Sequence, residues 1–139
     1  MAIEYTLQLC TAAAPEVIGR LLELPEVEWQ PPVLAFKSAT GLRVTVHRDG
    51  RPNFVLVEPE IAVGFRLDKF TDFEPQYAEL ARHVVTLLTA EAGDAVLQQS
   101  FERILLLRRG DDLAVSGGFW HPELLPWPYV VRAMPYPED

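Results

Sequence analysis

From Ile61 to Leu67 the chain alternates: Ile61, Val63, Phe65 and Leu67 fall on one face, Ala62, Gly64 and Arg66 on the other. A period of two fits a pleated, half-buried strand better than a helix. The small residues leave room on the second face for something to pack close. Arg66, Asp68 and Lys69 crowd the strand's far end, with Arg66 and Asp68 placed to pair locally. The same alternation in Ile3, Tyr5, Leu7 and Leu9 against Glu4, Thr6 and Gln8 predicts an opening strand over residues 3–10.

Elsewhere the period lengthens. Pro15 suits a first helical position, and Val17, Ile18, Leu21 and Leu22 then share a stripe that ends before Pro25. Gly19 inside that helix costs about 1 kcal/mol relative to Ala, which a close approach to the sheet would offset. The strongest helix follows the central strand. Thr71 or Asp72 can cap it, and Tyr77, Leu80, Ala81, Val84, Leu87 and Leu88 form its sheet-facing stripe.

Between and after these lie shorter extended pieces. Residues 33–37 and 42–47 flank a Ser-Ala-Thr-Gly turn and read as a hairpin, and residues 104–108 and 113–116 read as another. Residues 95–99 predict a short strand, while Ile104 to Leu107 reads as a strand covered on both faces. Residues 54–58 form a brief apolar run. Glu58 and Glu60 flank Pro59, predicting a kinked approach to the central strand that does not pair on both sides. From Gly117 onward, aromatics interleave with prolines, the pattern of an extended strap in which prolines lower the unfolded chain's entropy. The order predicts one α+β domain over residues 1–139: a mainly antiparallel sheet, two helices on one face, and an irregular C-terminal strap.

A chain of 139 residues can bury an independent core. No apolar run approaches the roughly 20 residues needed to cross a bilayer, and residues 1–5 lack the basic and apolar regions of a signal peptide. A cytoplasmic protein without membrane association is expected, and the single Cys10 agrees with a reducing compartment. A net charge of −8 argues against direct nucleic-acid binding and favours a basic partner, although such charge also serves solubility alone.

Candidate chemistry is sparse. His47, His83 and His121 have no short ligand spacing, Cys10 sits in no nucleophile motif, and Gly117-Gly118 precedes no helix. No catalytic, metal or cofactor site is predicted. Trp127, Tyr129 and Tyr136 in the strap, together with Glu58 and Glu60, are the candidate partner-binding residues; the aromatics equally suit a core role. Two other readings stay open on residues alone: a ligand-binding or enzymatic domain with its pocket between sheet and strap, and a homodimer.

One ordered set of phrases goes further. Glu4-Tyr-Thr-Leu7, Phe65-Arg-Leu-Asp-Lys-Phe70, Gly93-Asp-Ala-Val-Leu97, Leu106-Leu-Arg-Arg109, Phe119-Trp120 and Pro128-Tyr129 together resemble the Sit-type swarming-inhibition immunity proteins. The resemblance implies a bacterial immunity protein that binds a cognate polymorphic toxin delivered by contact and needs no catalytic site or cofactor. It carries no residue roles with it: Arg66, Asp68 and Lys69 suit a fold-stabilising role as well as a binding one. Residues 25–60 carry none of the resemblance.

Overall fold

A computed structural model describes residues 3–25, 29, 32–49, 60–100, 103–117, 119–120 and 124–131. The described strands are β1 (Ile3–Leu9), β2 (Leu34–Lys37), β3 (Arg43–Arg48), β4 (Ile61–Leu67), β5 (Ala95–Gln99), β6 (Arg103–Arg109), β7 (Asp112–Val115) and β8 (Val130–Val131), with helices α1 (Pro15–Leu21) and α2 (Phe73–Ala90). They form one sheet in the order β2-β3-β4-β1-β5-β6-β7-β8. Every pairing is antiparallel except that of β7 with β8. The α+β expectation is met, with both helices on one face.

Alternation decides which face is which. Tyr5, Leu7 and Leu9 pair with Phe65, Val63 and Ile61, and these six join Ile18 of α1 and Leu80, Val84 and Leu87 of α2 in a single buried core. Burying side chains of this size is worth about 1.5–3 kcal/mol each, which holds two helices against one sheet face. Val17 departs from the predicted stripe and is exposed. Gly19 is buried as expected of a close approach: a Cβ there would stand 2.9 Å from the Trp29 ring and 3.0 Å from Leu34 of β2.

The apolar run of β6 is divided by a register shift. Leu97 pairs with Leu106 but Gln98 pairs with Ile104, leaving Leu105 as an extra residue. Leu105 and Leu106 both reach the helix-side core, while Ile104 packs with Val96, Leu107 and Cys10 in a second small cluster. The strand is thus covered on both faces because a bulge rotates it midway.

Two local expectations need correction. At Glu60 the backbone is bonded on both sides, its N–H donating to Leu9 (2.9 Å) and its carbonyl accepting from Asp49 (3.0 Å), because the ends of β1 and β3 both lie level with Ile61 and flank the residue before it. Arg66 and Asp68 do not pair with each other. Arg66 Nε lies 3.9 Å from Glu4 and Asp68 Oδ2 lies 3.4 Å from Lys37, since β4 ends at Leu67 and Asp68 already belongs to the following turn. Strand β8 was not expected; its two residues add a parallel edge where a strap alone was predicted. The run predicted over residues 54–58, with Glu58, lies outside the described residues, as do His121 and Tyr136.

Candidate functional site

Opposite the helices, cross-strand register sets out the sheet's polar face in rows. Arg43, Arg66 and Glu4 form the first row across β3, β4 and β1; Thr45, Gly64 and Thr6 form the second; His47, Ala62 and Gln8 form the third. Gly64 and Ala62 form the floor of an open cavity of about 330 Å³ within these rows, with Asp49 at its end. A Cβ at Gly64 would stand 2.6 Å from Thr45 Oγ1, so the hollow depends on the small residue. The room anticipated beside Ala62 and Gly64 is present. Arg43 and Arg66 are like charges directly opposite, an unfavourable pairing that Glu4 offsets weakly from 3.9 Å between exposed groups. Two guanidinium groups, two hydroxyls and an imidazole equip this face for hydrogen bonding.

The second feature is the turn from β4 into α2, written by the Phe65 to Phe70 phrase. The Asp68 carboxylate accepts the Phe70 N–H at 2.9 Å and the Thr71 hydroxyl at 3.1 Å. The backbone N–H of Phe70, then that hydroxyl, holds this carboxyl below the ordinary aspartate range. Gln76, fully buried in the first turns of α2, closes the loop from beneath. Its Oε1 accepts the Asp68 N–H at 2.7 Å, and its Nε2 donates to the carbonyls of Asp68 at 2.9 Å and Asp72 at 3.1 Å. Asp72, the N-cap residue, makes no side-chain capping bond, so Gln76 anchors the turn instead. The outcome is a braced turn with the Phe70 ring 90% exposed.

A third cluster is sealed inside. The Glu79 carboxylate accepts the hydroxyls of Ser38 and Thr40, each at 2.6 Å, and its second oxygen lies 2.9 Å from His83 Nε2. Burial opposes ionisation of Glu79, but the two hydroxyls and His83 outweigh it and hold its pKa below the usual range. Burial pushes His83 down as well, by more than the adjacent carboxylate raises it. The imidazole is therefore neutral, donates from Nε2, and stacks on Phe65 with ring centroids 6.1 Å apart. Because both hydroxyls contact the carboxylate, the imidazole is not placed to take a proton from either. The cluster ties α2 to the β2–β3 turn, a structural role.

Trp127 and Tyr129 are half-buried and pack against the helix-side core, Glu60 is exposed before β4, and Glu58 and Tyr136 lie outside the described residues. The strap's Phe119 joins Tyr5 (5.6 Å) and Tyr77 (6.0 Å) in an aromatic cluster on the helix side, and Trp120 Nε1 donates to the Leu105 carbonyl at 3.0 Å. The cavity thus lies across the sheet from the strap, not between sheet and strap. Sequence reasoning missed Gln76 and Glu79, and it singled out His83 without finding its partner. Their spacing of three and four along the border of the α2 stripe is the signal that marks them as inward-facing.

No group of three or more His, Cys, Asp or Glu side chains among the described residues is arranged to hold a metal ion. No helix there is long and apolar enough to cross a membrane.

Fold and surface together define an α+β protein with two helices on one sheet face and a polar hollow on the other. Residues 3–124 match the family model described as SitI3-like, and the chain belongs to that family, as the ordered phrases indicate. Neither a curated protein nor a solved structure matches it.

Proposed function

We propose that this chain is the immunity partner of a contact-delivered bacterial toxin and neutralises it by direct one-to-one binding in the cytoplasm of the cell it protects. The observation that carries the reading is membership of the SitI3-like family over residues 3–124, an immunity family whose members have toxins as partners. The role is that of an inhibitor and not an enzyme, in competition between swarming bacteria. A net charge of −8 suits a toxin domain with a basic surface, since complementary charge accelerates encounter more than it deepens affinity.

Co-expression with the toxin domain encoded beside it, followed by gel filtration, tests the proposal. Survival of the host together with a co-eluting complex is expected. Death of the host with no complex would refute the pairing.

A further inference from the structure

The turn between β4 and α2 spends polar side chains on holding a ring in water. Phe70 is 90% exposed, against 63% for Val131 among the other exposed large apolar residues. The fold uses only its backbone: the N–H closes the turn on Asp68. A polar residue at position 70 would supply the same N–H without an exposed aromatic surface. The turn is braced from three sides, by the Asp68 carboxylate, by buried Gln76, and by Gly41 of the β2–β3 turn. Gly41 has a φ of +97°, and a Cβ there would stand 3.3 Å from Asp68 Cβ. A ring presented on a braced turn loses little conformational entropy when it is bound.

Its surroundings define a patch. Phe73, 37% exposed and in edge contact with Tyr77 at 6.1 Å, lines an open hollow of about 580 Å³ with Pro75, Ala78, Asp72 and Glu74. Asp72 and Glu74 are exposed and form no ion pair among the described residues. The hollow therefore has an apolar centre and an acidic border, and Phe70 stands two residues before it, next to exposed Lys69, an arrangement in which an aromatic anchor dominates binding while surrounding charges set rate and register.

We propose that Phe70 is the anchor of the toxin interface, its ring entering an apolar socket on the cognate toxin domain whose basic rim meets Asp72 and Glu74. The inference rests on the immunity reading and adds the surface and the chemistry of its counterpart. The acidic border selects a basic-rimmed partner over a second copy of this chain, because a dimer through this patch would bring Asp72 and Glu74 of both copies together.

The test compares wild type, Phe70→Ala, Phe70→Tyr and the Asp72→Asn/Glu74→Gln double variant by thermal melting and by calorimetric titration with the cognate toxin domain. Phe70→Ala is expected to melt as wild type does and to bind about 30-fold or more weakly, the loss typical of an interface anchor. Phe70→Tyr should retain most of the affinity, and the double variant should slow association and flatten its salt dependence. Wild-type affinity in Phe70→Ala would overturn the anchor while leaving the immunity reading intact. Failure of the wild type itself to bind would overturn both. Concentration-dependent self-association abolished by Phe70→Ala would assign the ring to a dimer and overturn the proposal.

Discussion

Gln76 shows how much one side chain organises. Its amide sits fully buried between α2 and the turn before it, donating and accepting at once, so no single-function group can replace it. Gln76→Ala leaves those backbone groups without partners and should lower unfolding free energy by about 2–3 kcal/mol in urea denaturation. Gln76→Glu keeps the acceptor for Asp68 N–H but sets a carboxylate against two carbonyl oxygens, and should be at least as damaging. At Glu79 and His83 the consequence is pH dependence. Both pKa values are depressed by folding, so in each case the unfolded chain takes protons first as pH falls and stability drops. The loss should begin as pH passes below the ordinary histidine value of 6.5 and steepen below the ordinary glutamate value of 4.5. Equilibrium unfolding measured from pH 8 to pH 4 checks this, and His83→Gln should remove the upper part of the decline.

At the scale of elements, the joints are held by groups that reach across the sheet. Arg108 of β6 donates to the carbonyls of Leu88 (2.7 Å), Glu91 and Gly93, covering the end of α2 and countering its dipole. Arg108→Ala should cost about 2 kcal/mol, and Lys should restore little, because a single ammonium cannot reproduce the planar fork. Gly93 sits so close to β1 that a Cβ would fall on the Cys10 carbonyl oxygen. Gly93→Ala should force β1 and β5 apart and cost about 3 kcal/mol or more, visible as a lowered melting temperature.

The elements themselves are legible from period and punctuation. The 61–67 alternation, the α2 stripe and both hairpins follow from residues close in sequence. What is not legible depends on remote partners. Spacing marks Glu79 and Gln76 as inward-facing, but the hydrogen bonds of Glu79 appear only when the 38–40 turn arrives beside α2, and those of Gln76 only when the chain folds back over its helix. Two residues of β8 carry no pattern by themselves and become a strand only against β7. Aromatic content in the sequence points to the strap, through Trp127, Tyr129 and Tyr136, together with Glu58 and Glu60. Trp127 and Tyr129 pack against the core while staying half-exposed, and Phe70, the most exposed aromatic among the described residues, ends one of the phrases that carry the family likeness.

For the whole molecule, the two sheet faces divide the work. One is buried under α1 and α2 and supplies stability; the other carries the polar hollow over Ala62 and Gly64, and the turn at Phe70 holds an exposed ring. A charge of −8 spread over so small a protein should make association with a basic toxin fall steeply between low and physiological salt, with dissociation changing less. Stopped-flow association across a salt series checks that, and a salt-independent rate would remove charge steering from the account. The central claim is direct binding. Isothermal titration of the purified protein into its cognate toxin domain tests it most plainly. The account predicts saturation at one-to-one stoichiometry with nanomolar or tighter affinity; no binding heat and no complex, while co-expression still protects the host, would contradict it.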